Sequence, residues 1–139
     1  MAALLNPYLN FPGTAREAMT FYQGVLGGDL TLNTFGEYGA EGEGADGVMH
    51  AQLATPDGFT IMASDMPPGQ EGEHHPGTNI TVSISGDGEA LRGYWDGLSD
   101  GATVTMPLEK QMWGDEFGSL VDKFGIPWMV NIAGDQSAG

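Results

Sequence analysis

The chain contains an internal repeat, and this repeat constrains the fold more than any other feature. The stretch NPYLNFPGTAREAMTFYQGVLGGDLTLN from Asn6 aligns with NITVSISGDGEALRGYWDGLSDGATVTM from Asn79 when one residue is dropped after the first strand. Further on, DGFTIM ending at Met62 matches FGIPWM ending at Met129. Both copies predict a strand, a glycine turn, a helix and further strands, so we expect two copies of one unit. The repeat also makes these four residues equivalent, and we expect them to face a shared cavity.

Alternation of side-chain type predicts strands with one packed face and one wetter face. From Asn79 to Ile84, polar residues alternate with β-branched hydrophobic ones, and the same parity sorts three other strands. The wetter face, which we expect to line the cavity, comprises Asn6, Tyr8, Asn10, Thr60, Met62, Ser64, Asn79, Thr81, Ser83, Met129 and Asn131. Such a lining suits a small, uncharged or weakly polar organic ligand. The alternative is a remnant cavity whose polar groups satisfy one another or hold water.

Two apolar stripes at helical spacing predict helices from Thr14 to Leu26 and from Gly88 to Leu98. Thr14 is the expected N-cap, and Glu17 three residues later completes a predicted capping box. We expect both helices to cover the packed face of the strands.

Two segments rich in glycine, proline and acidic residues interrupt these elements, from Gly36 to Gly47 and from Asp65 to Gly77. We expect both to be mobile loops, the first either a lid or plain disorder. The second contains a linker, residues 67–77, between repeats 1–66 and 78–139 of a single domain. Its adjacent histidines, His74 and His75, fit a solvated loop better than a metal site.

The composition excludes several classes of partner. Nineteen acidic residues oppose four basic ones, for a net charge of −15, so nucleic acid and anionic membrane surfaces are not expected partners. No apolar run approaches the roughly 20 residues that span a bilayer. Because the sequence has no cysteine and its start lacks a basic leader, we expect a cytoplasmic protein without disulfides.

Three blocks of sequence resemble the vicinal oxygen chelate superfamily, which includes glyoxalase I, extradiol dioxygenases and the bleomycin and fosfomycin resistance proteins. They are PYLNF with REAMTFYQGVLGG, MHAQL with IMASDMPPG, and MWGDEFGSLVDKFGIPWMVNI. The last block resembles the PhnB-like subgroup, sometimes labelled 3-demethylubiquinone methyltransferase-like. The resemblance implies an α+β fold of two βαβββ repeats that form a curved mixed sheet around a cavity, with helices on the outer face. It also implies a homodimer.

The same resemblance places Asn6 and Asn79 where metal-binding members carry histidine, and Met62 and Met129 where they carry glutamate. Amide oxygens and thioether sulfurs are poor ligands for zinc, nickel or iron. We therefore expect no metal at these positions and no cofactor, which favours a binder of a small organic molecule over an enzyme.

His50 supports the alternative, a metal-dependent glyoxalase or dioxygenase-type enzyme, that is, a lyase or oxidoreductase. If His50 and Gln52 face inward, His50 could act as a general base or as a ligand in a relocated metal site. The competing interpretation is a histidine hydrogen-bonded at a sheet edge or subunit contact. No methyltransferase signature is present, because the chain has no glycine fingerprint for a methyl donor.

The block from Trp113 to Gly118 predicts a hairpin between strands. Asp115 and Glu116 are adjacent carboxylates, but neighbouring strand residues point to opposite faces, so we do not expect them to act on one substrate. Trp113 and Phe117 are expected at the cavity mouth, where an aromatic ring could stack on a planar ligand.

Overall fold

The chain folds into two compact units, Met1–His75 and Pro76–Gly139, with the same order of elements. The computed structural model describes residues 3, 5–42 and 44–134. Unit 1 contains β1 (Tyr8–Phe11), α1 (Ala15–Leu26), β2 (Asp29–Thr34), β3 (Val48–Ala54) and β4 (Thr60–Asp65), and unit 2 contains β5 (Val82–Gly86), α2 (Glu89–Leu98), β6 (Thr103–Lys110), β7 (Glu116–Val121) and β8 (Pro127–Ile132). Short 3-10 helices lie at Gly36–Tyr38 and Glu71–Glu73. No helix within these described ranges is long and apolar enough to cross a membrane.

Each unit forms its own four-stranded mixed sheet. The strand order is β1-β4-β3-β2 in unit 1 and β5-β8-β7-β6 in unit 2. In both, the first strand pairs in parallel with the last, and the other neighbours are antiparallel. This shared topology confirms the predicted α+β fold of two βαβββ repeats.

The packed face of unit 1 follows the predicted alternation. Leu9 and Phe11 of β1 are buried, as are Ile61 and Ala63 of β4. Helix α1 covers this face with buried side chains that include Tyr22. Burying an apolar side chain of this size contributes roughly 1.5–3 kcal/mol, so the alternation fixes which face of each strand is packed.

The packed face of unit 2 is built around two tryptophans. Trp95 of α2 and Trp128 of β8 are both buried. A Cβ at Gly118 of β7 would lie 2.7 Å from the ring of Trp95 and 2.9 Å from the Cα of Leu108. Only glycine therefore fits where the helix approaches β7.

The strand predicted from Asn79 to Ile84 starts later than the sequence indicates. Strand β5 covers Val82–Gly86, and its pairing with β8 begins at Val82. Asn79 and Thr81 are exposed, and Ile80 is 76% exposed. The strand prediction is therefore wrong for its first three residues, which do not pair with a neighbouring strand.

The register also corrects the predicted repeat. Tyr8 of β1 lies opposite Met62, and Ser83 of β5 lies opposite Met129. In each unit, the residue that follows the last strand donates a backbone hydrogen bond to the final residue of the first strand, and both bonds agree with this register. The structural counterpart of Asn6 is thus Thr81, and the predicted equivalence of Asn6 with Asn79 is wrong by two residues.

Helix α1 begins after Thr14, as predicted, but its capping is different. The Thr14 side chain makes no capping hydrogen bond, so the predicted capping box is wrong. Instead, Asp65 Oδ1 accepts from the backbone N–H of Ala15 at 2.8 Å, and its Oδ2 accepts from that of Val48 at 2.9 Å. A carboxylate at the positive end of the helix dipole replaces the local cap.

The segment from Gly36 to Gly47, which we expected to be mobile, forms a hydrogen-bonded loop where the structure describes it. The backbone N–H of Phe35 donates to Gly47 O at 3.0 Å, and that of Gly36 donates to Ala45 O at 2.8 Å. These bonds extend the β2–β3 pairing into the loop.

Candidate functional site

The face of the unit 1 sheet opposite α1 carries a row of polar and thioether side chains. The register aligns Tyr8, Met62 and Gln52 across β1, β4 and β3. His50 and Gln52 alternate along β3 with buried Ala51, so both lie on this polar face. The alternative in which His50 is a general base or a metal ligand requires this orientation.

Tyr8 and His50 contact each other across β4. The Tyr8 hydroxyl lies 3.4 Å from His50 Nδ1, and the ring centroids are 6.0 Å apart. Strand β3 lies inside the sheet, between β4 and β2. The sheet-edge interpretation of His50 is therefore wrong. The side chains come from strands separated by about 10 Å, so the two rings lean toward each other over β4.

Asn10, Ser64 and His74 form a second cluster beside this pair. Ser64 Oγ donates to Asn10 Oδ1 at 3.2 Å, and His74 Nε2 lies 3.0 Å from Asn10 O, to which it donates in the tautomer that carries its hydrogen on Nε2. His74 is half-buried and His75 is exposed. His74 attaches the segment after β4 to β1.

Asn33 and Glu37 extend the polar network at the edge of unit 1. Asn33 pairs with His50 in the β2–β3 ladder, and its Nδ2 donates to Glu37 Oε2 at 3.2 Å. The backbone N–H of Glu37 donates to Thr34 Oγ1 at 3.2 Å. No local pattern in the sequence points to Glu37, because it lies in a loop that carries several glutamates.

Unit 2 has a polar face of hydroxyl groups around Met129. Ser83 and Ser119 lie on either side of Met129 in the ladder. The hydroxyls of Ser119 and Thr105 are 2.7 Å apart. Asn79 precedes β5, so it lies outside this ladder.

Asn131 is held by the turn before β7. Its Nδ2 donates to Asp115 Oδ2 at 2.9 Å, and the backbone N–H of Gly134 donates to Asp115 Oδ1 at 2.8 Å. These two hydrogen bonds stabilise the carboxylate and lower the pKa of Asp115. Asp115 therefore orients Asn131, and both carboxylate oxygens of Asp115 accept a hydrogen bond.

Glu116 points to a different partner, as the alternation predicted. Arg92 of α2 donates from both Nη atoms to the two carboxylate oxygens of Glu116. The hydrogen bonds from Arg92 lower the pKa of Glu116. Asp115 and Glu116 thus do not converge on one point.

Trp113 and Phe117 form an aromatic pair at the same end of unit 2. Their ring centroids are 6.3 Å apart, with an interplanar angle of 63°. Phe117 lies opposite Asn131 in the β7–β8 ladder, and Trp113 is 59% exposed. The exposed indole leaves a surface on which a planar group can stack.

The residues at the metal positions that the resemblance implies are poor ligands for a divalent ion. Met62 and Met129 offer only thioether sulfur and Asn6 only an amide, which are poor ligands for zinc or iron. Across residues 3, 5–42 and 44–134, no group of three or more His, Asp or Glu side chains is arranged to hold a metal. The donor set supplies no negative charge to offset dehydration of the ion.

Solved structures from Frankia sp. EAN1pec and Burkholderia phytofirmans PsJN, described as glyoxalase/bleomycin resistance/dioxygenase proteins, share this fold of two βαβββ units at 16% identity, with TM-scores of 0.60 and 0.58. Residues 4–131 match the family model described as 3-demethylubiquinone-9 3-methyltransferase. The chain belongs to this family, which is the PhnB-like group of the superfamily.

Similar proteins cover almost the whole chain. Protein YjdN of Escherichia coli (strain K12) is 30% identical, with 95% of this chain and 97% of that protein covered. The crystal structure of protein PA1353 from Pseudomonas aeruginosa has a TM-score of 0.83 at 33% identity and covers 96% of this chain and 100% of its own. A PhnB protein from Bacillus cereus, described as a putative 3-demethylubiquinone-9 3-methyltransferase, has a TM-score of 0.72 at 25% identity and covers 94% and 100%.

Proposed function

We propose that this protein binds a small, uncharged organic molecule on the polar faces of its sheets, without a metal at the superfamily's usual ligand positions. The donor chemistry of Asn6, Met62 and Met129 carries the proposal, because these side chains replace histidine and glutamate with groups that bind divalent ions poorly. The remaining polar residues donate and accept hydrogen bonds, and methionine adapts its shape to a ligand.

The placement of polar residues supports this binding role. Tyr8, His50 and Gln52 share one face of unit 1, while Ser83 and Asn131 lie on strands of unit 2 where they flank or follow Met129. Hydroxyl, amide and imidazole groups of this kind orient a ligand that apolar and aromatic surfaces hold.

The second candidate function is a metal-dependent glyoxalase or dioxygenase-type enzyme that uses His50. One observation favours it: His50 lies on the polar face, beside a phenol. It requires acidic ligands near His50, and Glu37 is the carboxylate that the Asn33 network brings to that side of the sheet.

Methyl transfer, which the family's description suggests, is not part of the proposal. The parallel strands β1 and β4 are joined through α1, β2 and β3, whereas a dinucleotide-type or methyl-donor site uses a single crossover helix after a glycine fingerprint. The sequence has no such fingerprint.

Elemental analysis of protein purified without a metal-chelating tag tests the proposal. We expect far less than one zinc, nickel, manganese or iron per chain, before and after incubation with these ions. The midpoint of thermal unfolding should not rise with added metal, because a bound ion would stabilise the native state. A stoichiometric metal that His50→Ala abolishes would overturn the proposal in favour of the enzyme.

A double variant provides the matched control. Asn6→His with Met62→Glu restores two of the donors that metal-binding members carry at these positions. We expect this variant to gain zinc affinity that the natural chain lacks, measured by calorimetric titration. Equal zinc affinity in both proteins would show that metal binding does not depend on these donors.

A further inference from the structure

We propose that Tyr8 and His50 form a hydroxyl-recognition pair, which binds a neutral, planar ligand through a phenol-type or enol-type hydroxyl group. This inference rests on the proposed small-molecule function and names the class of ligand that unit 1 takes.

The contact within the pair is weak enough to open for a bridging hydroxyl. The Tyr8 hydroxyl and His50 Nδ1 are 3.4 Å apart, which is longer than the roughly 2.8 Å of a strong O–H hydrogen bond. A hydroxyl that bonds to both groups needs them roughly 4.5 Å apart, so the Tyr8 ring has to move when the ligand enters. The Tyr8 side chain is 47% exposed, so its ring can move aside at small cost in packing. A ligand hydroxyl placed between the two groups accepts a hydrogen bond from the Tyr8 hydroxyl and donates one to Nδ1.

This arrangement distinguishes a hydroxyl from other oxygen groups. A carbonyl or an ether oxygen accepts a hydrogen bond but cannot donate one to the imidazole. The selection holds for the tautomer that carries its proton on Nε2, in which Nδ1 can only accept. In the other tautomer Nδ1–H and the Tyr8 hydroxyl both donate, and a carbonyl oxygen accepts from both. The pair therefore selects a hydroxyl in the first tautomer, which is the one we propose for His50.

The charge around the pair excludes an anionic ligand. Arg16 is the only Arg or Lys among residues 1–75. It lies on α1, which covers the opposite face of the sheet, and donates to Asp46 O at 3.3 Å. Glu37 adds negative charge beside Asn33, and the chain as a whole carries −15. A carboxylate or phosphate would be repelled, whereas a neutral hydroxyl compound would not.

The surroundings of the pair favour a planar ligand. The exposed ring of Tyr8 provides a surface for stacking. Met62 is the register neighbour of Tyr8, and Gln52 is that of Met62. A thioether interacts favourably with aromatic rings, so a flat aromatic or conjugated compound meets complementary groups on this face.

Two matched probes test the inference. The phenol 4-hydroxybenzonitrile and its methyl ether, 4-methoxybenzonitrile, have similar size and planarity, but only the first can donate a hydrogen bond. We expect the phenol, at a pH where it is neutral, to bind roughly threefold to tenfold more tightly in calorimetric or NMR titration, as the one added hydrogen bond to Nδ1 predicts. Perturbed amide signals should map to Tyr8, His50 and Met62.

Matched variants identify the groups responsible. His50→Leu should abolish the preference, because it removes the acceptor that only the phenol can use. Tyr8→Phe should weaken the binding of both probes by a similar factor, because both accept from the Tyr8 hydroxyl. Tyr38→Phe, at an exposed tyrosine, and His75→Leu, at an exposed histidine, should leave both affinities unchanged. Unfolding midpoints of all four variants show whether each protein is folded.

The outcome separates this inference from the broader proposal. Equal binding of the two probes by the natural chain, binding of neither, a preference that His50→Leu retains, or unchanged affinities in Tyr8→Phe would overturn the hydroxyl-recognition pair. None of these results bears on metal content. A stoichiometric metal in the natural chain would instead overturn the proposed metal-free function, whichever probe binds.

Discussion

Two buried carboxylates, Asp65 and Asp122, hold backbone segments in place. Asp65 is 5% exposed and Asp122 is 4% exposed. Asp65 connects the start of α1 to the start of β3, while Asp122 Oδ2 accepts from Trp128 Nε1 at 2.8 Å and its Oδ1 accepts from two backbone N–H groups. A buried carboxylate is costly unless it is hydrogen-bonded, so the position of each acid depends on these donors.

Asp65→Ala should strongly destabilise the protein. The substitution leaves the N–H groups of Ala15 and Val48 without their acceptor and removes the anionic cap of α1. We expect the free energy of unfolding to fall by roughly 3 kcal/mol in urea denaturation, since hydrogen bonds to a charged group contribute about 1.5–3 kcal/mol each. Asp29→Ala, at an exposed acid of β2, should change it by less than about 0.5 kcal/mol. Equal effects would contradict the structural role of Asp65.

The capping of α1 shows why the sequence could predict some contacts and not others. The position of the helix start was predictable, because Thr14 and the apolar stripe are local signals. The acceptor for Ala15 lies 50 residues away in the chain, beyond any local pattern. The contact between Tyr8 and His50, 42 residues apart, is of the same kind: parity gave the face of each residue, but only strand order brings them together.

Strands show the same limit for whole elements. Alternation predicted the faces of β1, β4 and β8, because one face of each is packed against a helix. It did not predict where β5 begins, since Asn79–Thr81 alternate in sequence without a strand to pair with. Side-chain parity repeats every two residues, so a shift of two preserves the faces and moves the register. The prediction that Asn79 is the repeat counterpart of Asn6 is wrong by this same shift of two residues.

The ion pair between Arg92 and Glu116 connects α2 to β7 and should respond to pH. Hydrogen bonds from Arg92, with the charges of Arg92 and Lys110, lower the pKa of Glu116 against the opposing effect of desolvation. A carboxyl with a lowered folded-state pKa stabilises the protein above its unfolded pKa of about 4.3 and loses this effect as pH falls through the folded-state pKa. Arg92→Met should therefore raise the pKa of Glu116, measured by carboxyl NMR titration.

Lys123→Met is the control for this experiment, because it removes the same charge elsewhere in unit 2, where Lys123 pairs with Asp100 at 3.5 Å. We expect it to leave the pKa of Glu116 nearly unchanged. The stability difference between Arg92→Met and the natural chain should shrink as the pH falls below about 4. A pKa of Glu116 that shifts equally in both variants would indicate a general charge effect instead of the ion pair.

For the whole molecule, family membership determines the fold, whereas net charge affects association between chains. The family match fixes the fold, but a fold does not assign a ligand, so the ligand class depends on the side chains of each polar face. The net charge of −15 governs association instead. The cytoplasmic location and the homodimer implied by the resemblance stay predictions.

The homodimer should be sensitive to salt. Two chains that each carry −15 repel each other, and this repulsion opposes association at low ionic strength. Raising the salt from about 0.01 M to about 0.15 M shortens the screening length from roughly 30 Å to roughly 8 Å, so the dimer should bind more tightly at the higher concentration. Size-exclusion chromatography with light scattering at micromolar protein should detect a dimer near physiological salt and a larger monomer fraction at low salt. A monomer at both concentrations would refute the homodimer, whereas a dimer that weakens with added salt would mean that attractive ion pairs across the interface outweigh the net repulsion.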